Sequence, residues 1–287
     1  MLDKQPSNDE ALTARAAMLR RRGRLAEAIA NFVRASELNP RSPQLAFYVG
    51  TSYGAARNYP EAVRYIDRSM ALSPRWAGIY ADRAMFLLAW HGDLAEARRS
   101  LRDGMALPDA AKILDRLRYQ AEMFVGYTAR DSVVLASRTV DMFRGDTAFF
   151  MVWNADWARR HGDRVGAQAT ADSARAILER RVAADPNEPG VRMDLASAYA
   201  LLGRKTDALR EAVKATEMLP VSRDAVDGLD LQRDYAFVEM LVGESEAAVR
   251  RLKTLVSLPL EMSAISLRLD PTWAPLRSNP EFQRLIR

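Results

Sequence analysis

The sequence has no cysteine and only two histidines, and just five of its 42 basic residues are lysine, the rest being arginine. Without cysteine there is no disulfide, no thiolate nucleophile and no Cys-ligated zinc or iron–sulfur site. Long apolar runs are also missing. AMFLLAW at 84–90 and FFMVW at 149–153 fall well short of the roughly 20 residues that span a bilayer, so no membrane insertion is expected. The first residues, MLDKQPSNDE, lack the basic-then-apolar order of a secretory signal, which predicts a cytoplasmic location. No dinucleotide-type glycine cluster, GxSxG or HExxH is present, so acyl transfer and zinc hydrolysis lack their usual machinery.

What is present suits a folded chain. Hydrophobic residues make up 48% of the 287 and charged residues 28%, enough to bury a core and too balanced for a disordered tail. The net charge of +5 is mild. An arginine-heavy, alanine-rich composition follows from GC-rich codon usage, and no basic stripe interleaved with aromatics marks a nucleic-acid surface.

Self-similarity is the strongest signal. The phrase GRLAEAIANFVRASELNP (23–40) recurs as RNYPEAVRYIDRSMALSP (57–74) and GRKTDALREAVKATEMLP (203–220). Each copy places alanine early (Ala28, Ala62, Ala208), an apolar residue four on (Phe32, Ile66, Ala212) and a small residue three further (Ala35, Ser69, Ala215). These spacings fall on one stripe of an α-helix, and the small side chains let a neighbouring helix approach closely. Pro40, Pro74 and Pro220 then end each helix. Ahead of each phrase a partner helix is predicted, with Ala16, Gly50, Ala84, Ala155 and Ala196 near the middle. Leu19, Tyr53, Leu87 and Tyr199 follow three residues later, and Ala158 is the exception.

This pattern resembles the tetratricopeptide repeat family, a 34-residue helix–turn–helix unit. The closest registers are Pro43 to Trp76 (Gly50, Tyr53, Ala62, Pro74) and Pro189 to Val221 (Leu195, Ala196, Tyr199, Gly203, Ala208, Ala215, Pro220). The resemblance implies an all-α, right-handed α-solenoid of about seven hairpins: 9–40, 43–74, 77–107, 109–144, 147–186, 189–220 and 226–258. The solenoid is expected over 9–258, after a polar segment at 1–8. The fourth hairpin is degenerate and rests on periodicity alone. The fifth carries a long second helix from about Val165 to Ala184, and the middle of the chain is where two short arrays could meet. Residues 259–287 are expected to cap the open end through Leu267, Leu269, Trp273, Leu276, Phe282 and Leu285. Their phrase LRLDPTWAPLRSNPEFQRLI is similar to the endings of tetratricopeptide regions in bacterial signalling proteins, behind a kinase or transcription-regulator domain.

Residues capable of chemistry have a structural explanation. His91 and His161 each precede Gly-Asp at a helix turn, where a cation suits the carboxyl end of the helix dipole. GRKT at 203–206 has Ala198 where a phosphate-binding loop needs glycine. Glu244 with Glu246, and Asp141 with Asp146, lie near helix starts, where carboxylates favour the dipole. Arg15, Arg20, Arg21, Arg22 and Arg24 read as a solvated helix end, and Trp76, Tyr80, Trp90, Trp153 and Trp157 as packing between helices. No catalytic residue, metal ligand or cofactor is expected.

In the family, the exposed places on the concave face are the second, fifth, ninth and twelfth of each first helix. The resemblance puts Gln44, Phe47, Thr51 and Gly54 there in the second hairpin, and Gly78, Ala81, Met85 and Leu88 in the third. Phe149, Val152, Asp156 and Arg159 follow in the fifth, Gly190, Met193, Ser197 and Ala200 in the sixth, and Tyr119 and Met123 in the fourth. Family members that clamp a terminal carboxylate do so with lysine and asparagine, which these places lack. The expected partner is therefore a protein or peptide with an apolar segment. The expected function is a non-enzymatic protein–protein interaction scaffold. A regulatory region of a signalling protein, a nucleic-acid binder and a degenerate hydrolase-like site are the alternatives.

Overall fold

The computed structural model describes residues 8–109, 112–113, 139–143, 145–259 and 263–287. Most of the expected fourth hairpin lies outside them. Among the described residues there are helices and turns but no strands. The helices are α1 (Asp9–Arg21), α2 (Leu25–Leu38), α3 (Pro43–Ala55), α4 (Tyr59–Leu72), α5 (Gly78–His91), α6 (Leu94–Met105), α7 (Thr147–Arg160) and α8 (Arg164–Ala184). They continue with α9 (Pro189–Leu201), α10 (Lys205–Met218), α11 (Asp227–Leu241), α12 (Ser245–Ser257), α13 (Ala264–Leu269) and α14 (Pro280–Leu285). Short 3-10 turns cover Val140–Phe143 and Pro271–Leu276.

By contact, the chain forms two compact units: Met1–Ala136 with Pro259–Pro271, and Ser137–Leu258 with Thr272–Arg287. Each is a stack of helix hairpins. In the first unit α1 pairs with α2, α3 with α4 and α5 with α6; each second helix then packs on the next first helix, and α3 also touches α5. The second unit repeats this with the pairs α7–α8, α9–α10 and α11–α12, and there α9 touches both α7 and α11. This is tetratricopeptide-type α-solenoid packing.

The repeated small residues explain why the hairpins close. Ala28, Ala35, Ala62, Ser69, Ala208, Ala212 and Ala215 have no exposed surface, and Phe32 and Ile66 fill the space between paired helices. On the facing helix Ala16, Ala84, Ala155 and Ala196 are equally buried. At Gly50 a Cβ would stand 2.9 Å from Ile66 Cγ1 and 3.1 Å from the carbonyl oxygen of Ala62, so α3 and α4 meet where only hydrogen fits. Ser69 adds a polar tie, its hydroxyl donating to the Pro43 carbonyl at 2.7 Å.

Helix ends follow local chemistry. Asn8, Ser42, Asn58, Asp93, Asp146, Asp163 and Asn279 accept backbone N–H groups from the first turn of the helix that each precedes. Where α2 and α10 begin with arginine instead, Arg24 pairs with Glu27 and Arg204 with Asp207 across the first turn. Many other arginines are matched in this way on helix surfaces, Arg34 with Glu37, Arg175 with Asp172 and Glu179, and Arg210 with Asp207 among them. Much of the basic composition is thereby answered locally.

After α12, α14 packs against α12, with Phe282 fully buried. In the first unit, α13 packs on α5.

Candidate functional site

The first helices carry the residues expected to meet a partner, and the structure sorts them by burial. On α3, Gln44 is exposed and Phe47 and Thr51 are half-buried, while on α5 Met85 is half-buried. Phe47 leans on Trp76, with ring centroids 4.9 Å apart, and touches Tyr48 on its own helix. The Thr51 hydroxyl donates to the Phe47 carbonyl at 3.0 Å, which leaves its methyl group and the Phe47 ring as the surface α3 offers. These four residues sit on adjacent first helices of the first unit.

Six other expected contact residues keep little exposed surface. Ala81 and Leu88 are 0% and 2% exposed, Val152 and Asp156 7% and 5%, and Met193 and Ser197 1% and 6%. The physical reason is direct packing of neighbouring first helices, α7 and α11 on α9 in the second unit and α3 on α5 in the first, which uses the places left open in a wider-spaced array. Val152 and Met193 belong to one apolar core with Leu178, Leu195 and Tyr199. Asp156 is held by Arg159 and Arg160, each at 2.7 Å, so its charge is spent inside the fold. Gly54, at a twelfth place, is covered by the ring of Phe86 from α5. Tyr119 and Met123 lie outside the described residues.

The other candidates take structural roles. His91 Nδ1 donates to Glu96 at 2.8 Å and its ring lies against Trp90; His161 Nδ1 donates to the Trp157 carbonyl at 2.8 Å and stacks on Trp157. Glu244 pairs with Lys205, the lysine of the GRKT string. Asp146 caps α7 and receives Arg181 at 2.9 Å. No group of three potential metal ligands occurs among the described residues, and no helix there is long and apolar enough to cross a membrane. Trp90 differs from the expected packing role, being 43% exposed.

Titration in the second unit reflects buried ion pairs. Burial raises the affinity of Glu211 for a proton, but hydrogen bonds from Arg192 and Arg210 outweigh it and hold the carboxyl below its ordinary range. For Tyr199, burial comes first and the hydrogen bond donated to Glu179 at 2.8 Å second, together pushing its pKa up to about 12. Glu239 is clamped by two nitrogens of Arg251 at 3.0 and 2.8 Å, and that guanidinium lies 3.7 Å from the centre of the Tyr235 ring. These ties join neighbouring helices.

Sequence reasoning missed Trp76 as part of the Phe47 surface. The sequence marked it only as packing between helices, whereas its contact with Phe47 depends on how α5 enters beside α3.

No family model and no curated protein matches the sequence. Among solved structures, the chain is similar to a thermophilic TPR protein from Thermus thermophilus, at 20% identity and a TM-score of 0.40, with 80% of this chain and 98% of that one covered. It is also similar to PilW, a widely conserved type IV pilus biogenesis factor, at 15% identity and a TM-score of 0.35, covering 97% of this chain and 98% of that one.

Proposed function

We propose that the chain is a non-enzymatic protein-interaction scaffold that takes an apolar peptide segment or partner helix on the first-helix face of its first unit. The supporting observation is that the neighbouring helices α3 and α5 carry exposed Gln44 and half-buried Phe47, Thr51 and Met85, with Trp76 against Phe47. An aromatic anchor with a flexible methionine and small polar neighbours suits an apolar side chain of a partner, with hydrogen bonding at the edge. The proposed contact uses the four named residues that keep exposed surface and leaves out the six that are buried.

The test is capture of partners from the native host, identified by mass spectrometry, with wild-type chain and with Met85→Glu or Phe47→Ala. Each substitution is expected to weaken capture of the same partner about tenfold or more, the scale of losing an interface anchor, with helicity by circular dichroism unchanged. Equal capture by wild type and both variants rejects the assignment.

A further inference from the structure

Helix hairpins are antiparallel, so in the first unit the amino ends of α1, α3 and α5 share an edge with the carboxyl ends of α2 and α4. Three contacts tie that edge together. The Asn39 amide after α2 donates to Asp9 at the start of α1 at 3.1 Å, and Arg68 near the end of α4 donates to the Pro40 carbonyl at 2.7 Å. Trp76, ahead of α5, meets the Phe47 ring on α3. The aromatic pair of the proposed contact therefore stands near this edge.

Arginine collects there without matching acid. Arg41, two residues ahead of α3, and Arg75, next to Trp76, are exposed and have no acidic partner among the described residues. Arg68 donates to a carbonyl and to no carboxylate. The neighbouring acids are already answered, Asp9 by Asn39, Glu37 by Arg34 and Asp67 by Arg83. The imbalance extends through the unit: residues 8–109 hold 15 arginines and 11 acidic side chains, whereas 145–258 hold 16 cationic and 18 acidic ones. Three arginines at one edge repel each other and attract an anionic partner over about 8 Å at physiological ionic strength.

We infer that the partner segment is acidic: an aromatic or aliphatic anchor meets the Phe47–Trp76 pair, and Asp or Glu residues beside it reach Arg41, Arg68 and Arg75. A guanidinium suits this role because it grips a carboxylate through two parallel N–H donors. A nucleic-acid strand fits less well. Its evenly spaced phosphates would meet Asp9, Glu37 and Asp67 as well as the arginines. The Phe47 and Trp76 rings also lie against each other, inclined at 45°, and form no flat platform for a base. The inference rests on the proposed contact surface and adds the charge of what binds there.

The probe is a displayed library of random peptides of about 12 residues, panned on the full chain. The best enriched peptide, labelled with fluorescein, is then titrated by anisotropy into full-length wild type, Arg41→Glu/Arg75→Glu, Phe47→Ala and Arg180→Glu/Lys253→Glu. The last variant changes net charge equally through exposed residues of the second unit. Wild type is expected to enrich peptides with two or more acidic residues beside a large apolar one. Binding is expected to weaken about tenfold in Arg41→Glu/Arg75→Glu, to stay unchanged in the second-unit variant, and to fall as NaCl rises from about 50 to about 300 mM. Enrichment of neutral or basic peptides, or of none, overturns the inference. So does an equal loss in the second-unit variant, or tighter binding of a single-stranded RNA or DNA of similar length. Should charge reversal lower helicity, Arg41→Gln/Arg75→Gln removes the attraction without adding repulsion and gives the same comparison. Loss in Phe47→Ala with the arginine variant unchanged overturns the acidic partner and leaves the apolar surface standing. The reverse pattern supports the acidic partner and rejects the apolar surface.

Discussion

Arg57 shows how one residue can depart from the repeat at a cost. It stands at the turn position that Gly23 and Gly203 fill in the sister phrases, with φ of 60° against their 72° and 73°. A side chain in the left-handed region costs about 1 kcal/mol or more. Arg57→Gly is therefore expected to raise the unfolding free energy by about 1 kcal/mol in urea denaturation, and Gly203→Arg to lower it by a similar amount. Glu211 carries the clearest pH dependence. Its carboxyl binds a proton less readily in the fold than in the unfolded chain, so its contribution is present above the ordinary carboxylate value of 4.5 and is lost as pH falls through the lower folded value. Glu211→Gln is expected to cost about 1–3 kcal/mol at pH 7 and to flatten the decline of thermal stability on the acid side, measured by calorimetry from pH 3 to 7. The turn glycines and the small-residue stripe were legible from one sequence because each depends on neighbours within a turn or two. The Arg192–Glu211 pair was not, since its partners lie on separate helices.

Between elements, the α3–α4 seam gives the sharpest test of close packing. A methyl group at Gly50 meets Ile66, which is fully buried, and the backbone oxygen of Ala62, which cannot yield without moving its helix. Gly50→Ala is expected to destabilise by about 1–3 kcal/mol despite the better helix propensity of alanine, read as a lower denaturation midpoint with unchanged helical circular dichroism. Six of the expected hairpins were legible at this scale, because helical period, turn residues and terminal prolines agree with one another. The exposure of the residues expected at the contact was legible only in part. Gln44, Phe47, Thr51 and Met85 keep exposed surface, whereas Ala81, Leu88, Val152, Asp156, Met193 and Ser197 do not, and the difference is set by how closely successive first helices approach. That distance depends on side chains from other hairpins, which no single helix pattern contains.

For the molecule as a whole, stacked hairpins that touch mainly their neighbours make stability a local property. Met193, 1% exposed at the centre of the second unit's core, supplies a test. Met193→Ala is expected to cost about 2–5 kcal/mol and to raise hydrogen exchange first in α7, α9 and α11, the first helices that surround it. Uniform loss of protection in every helix of that unit at once would contradict this graded behaviour. Absence of cysteine also makes stability independent of reductant, which the same measurement with and without dithiothreitol checks.

The sequence by itself determined that the chain forms paired helices, where most of them turn, and which small and bulky residues form each seam, because those features arise from contacts a few residues apart or one hairpin wide. Only the tertiary structure decided which first-helix residues keep exposed surface and that the contacts gather into two units. Those outcomes depend on surfaces meeting across long separations in the chain, where spacing carries no record of which neighbour arrives.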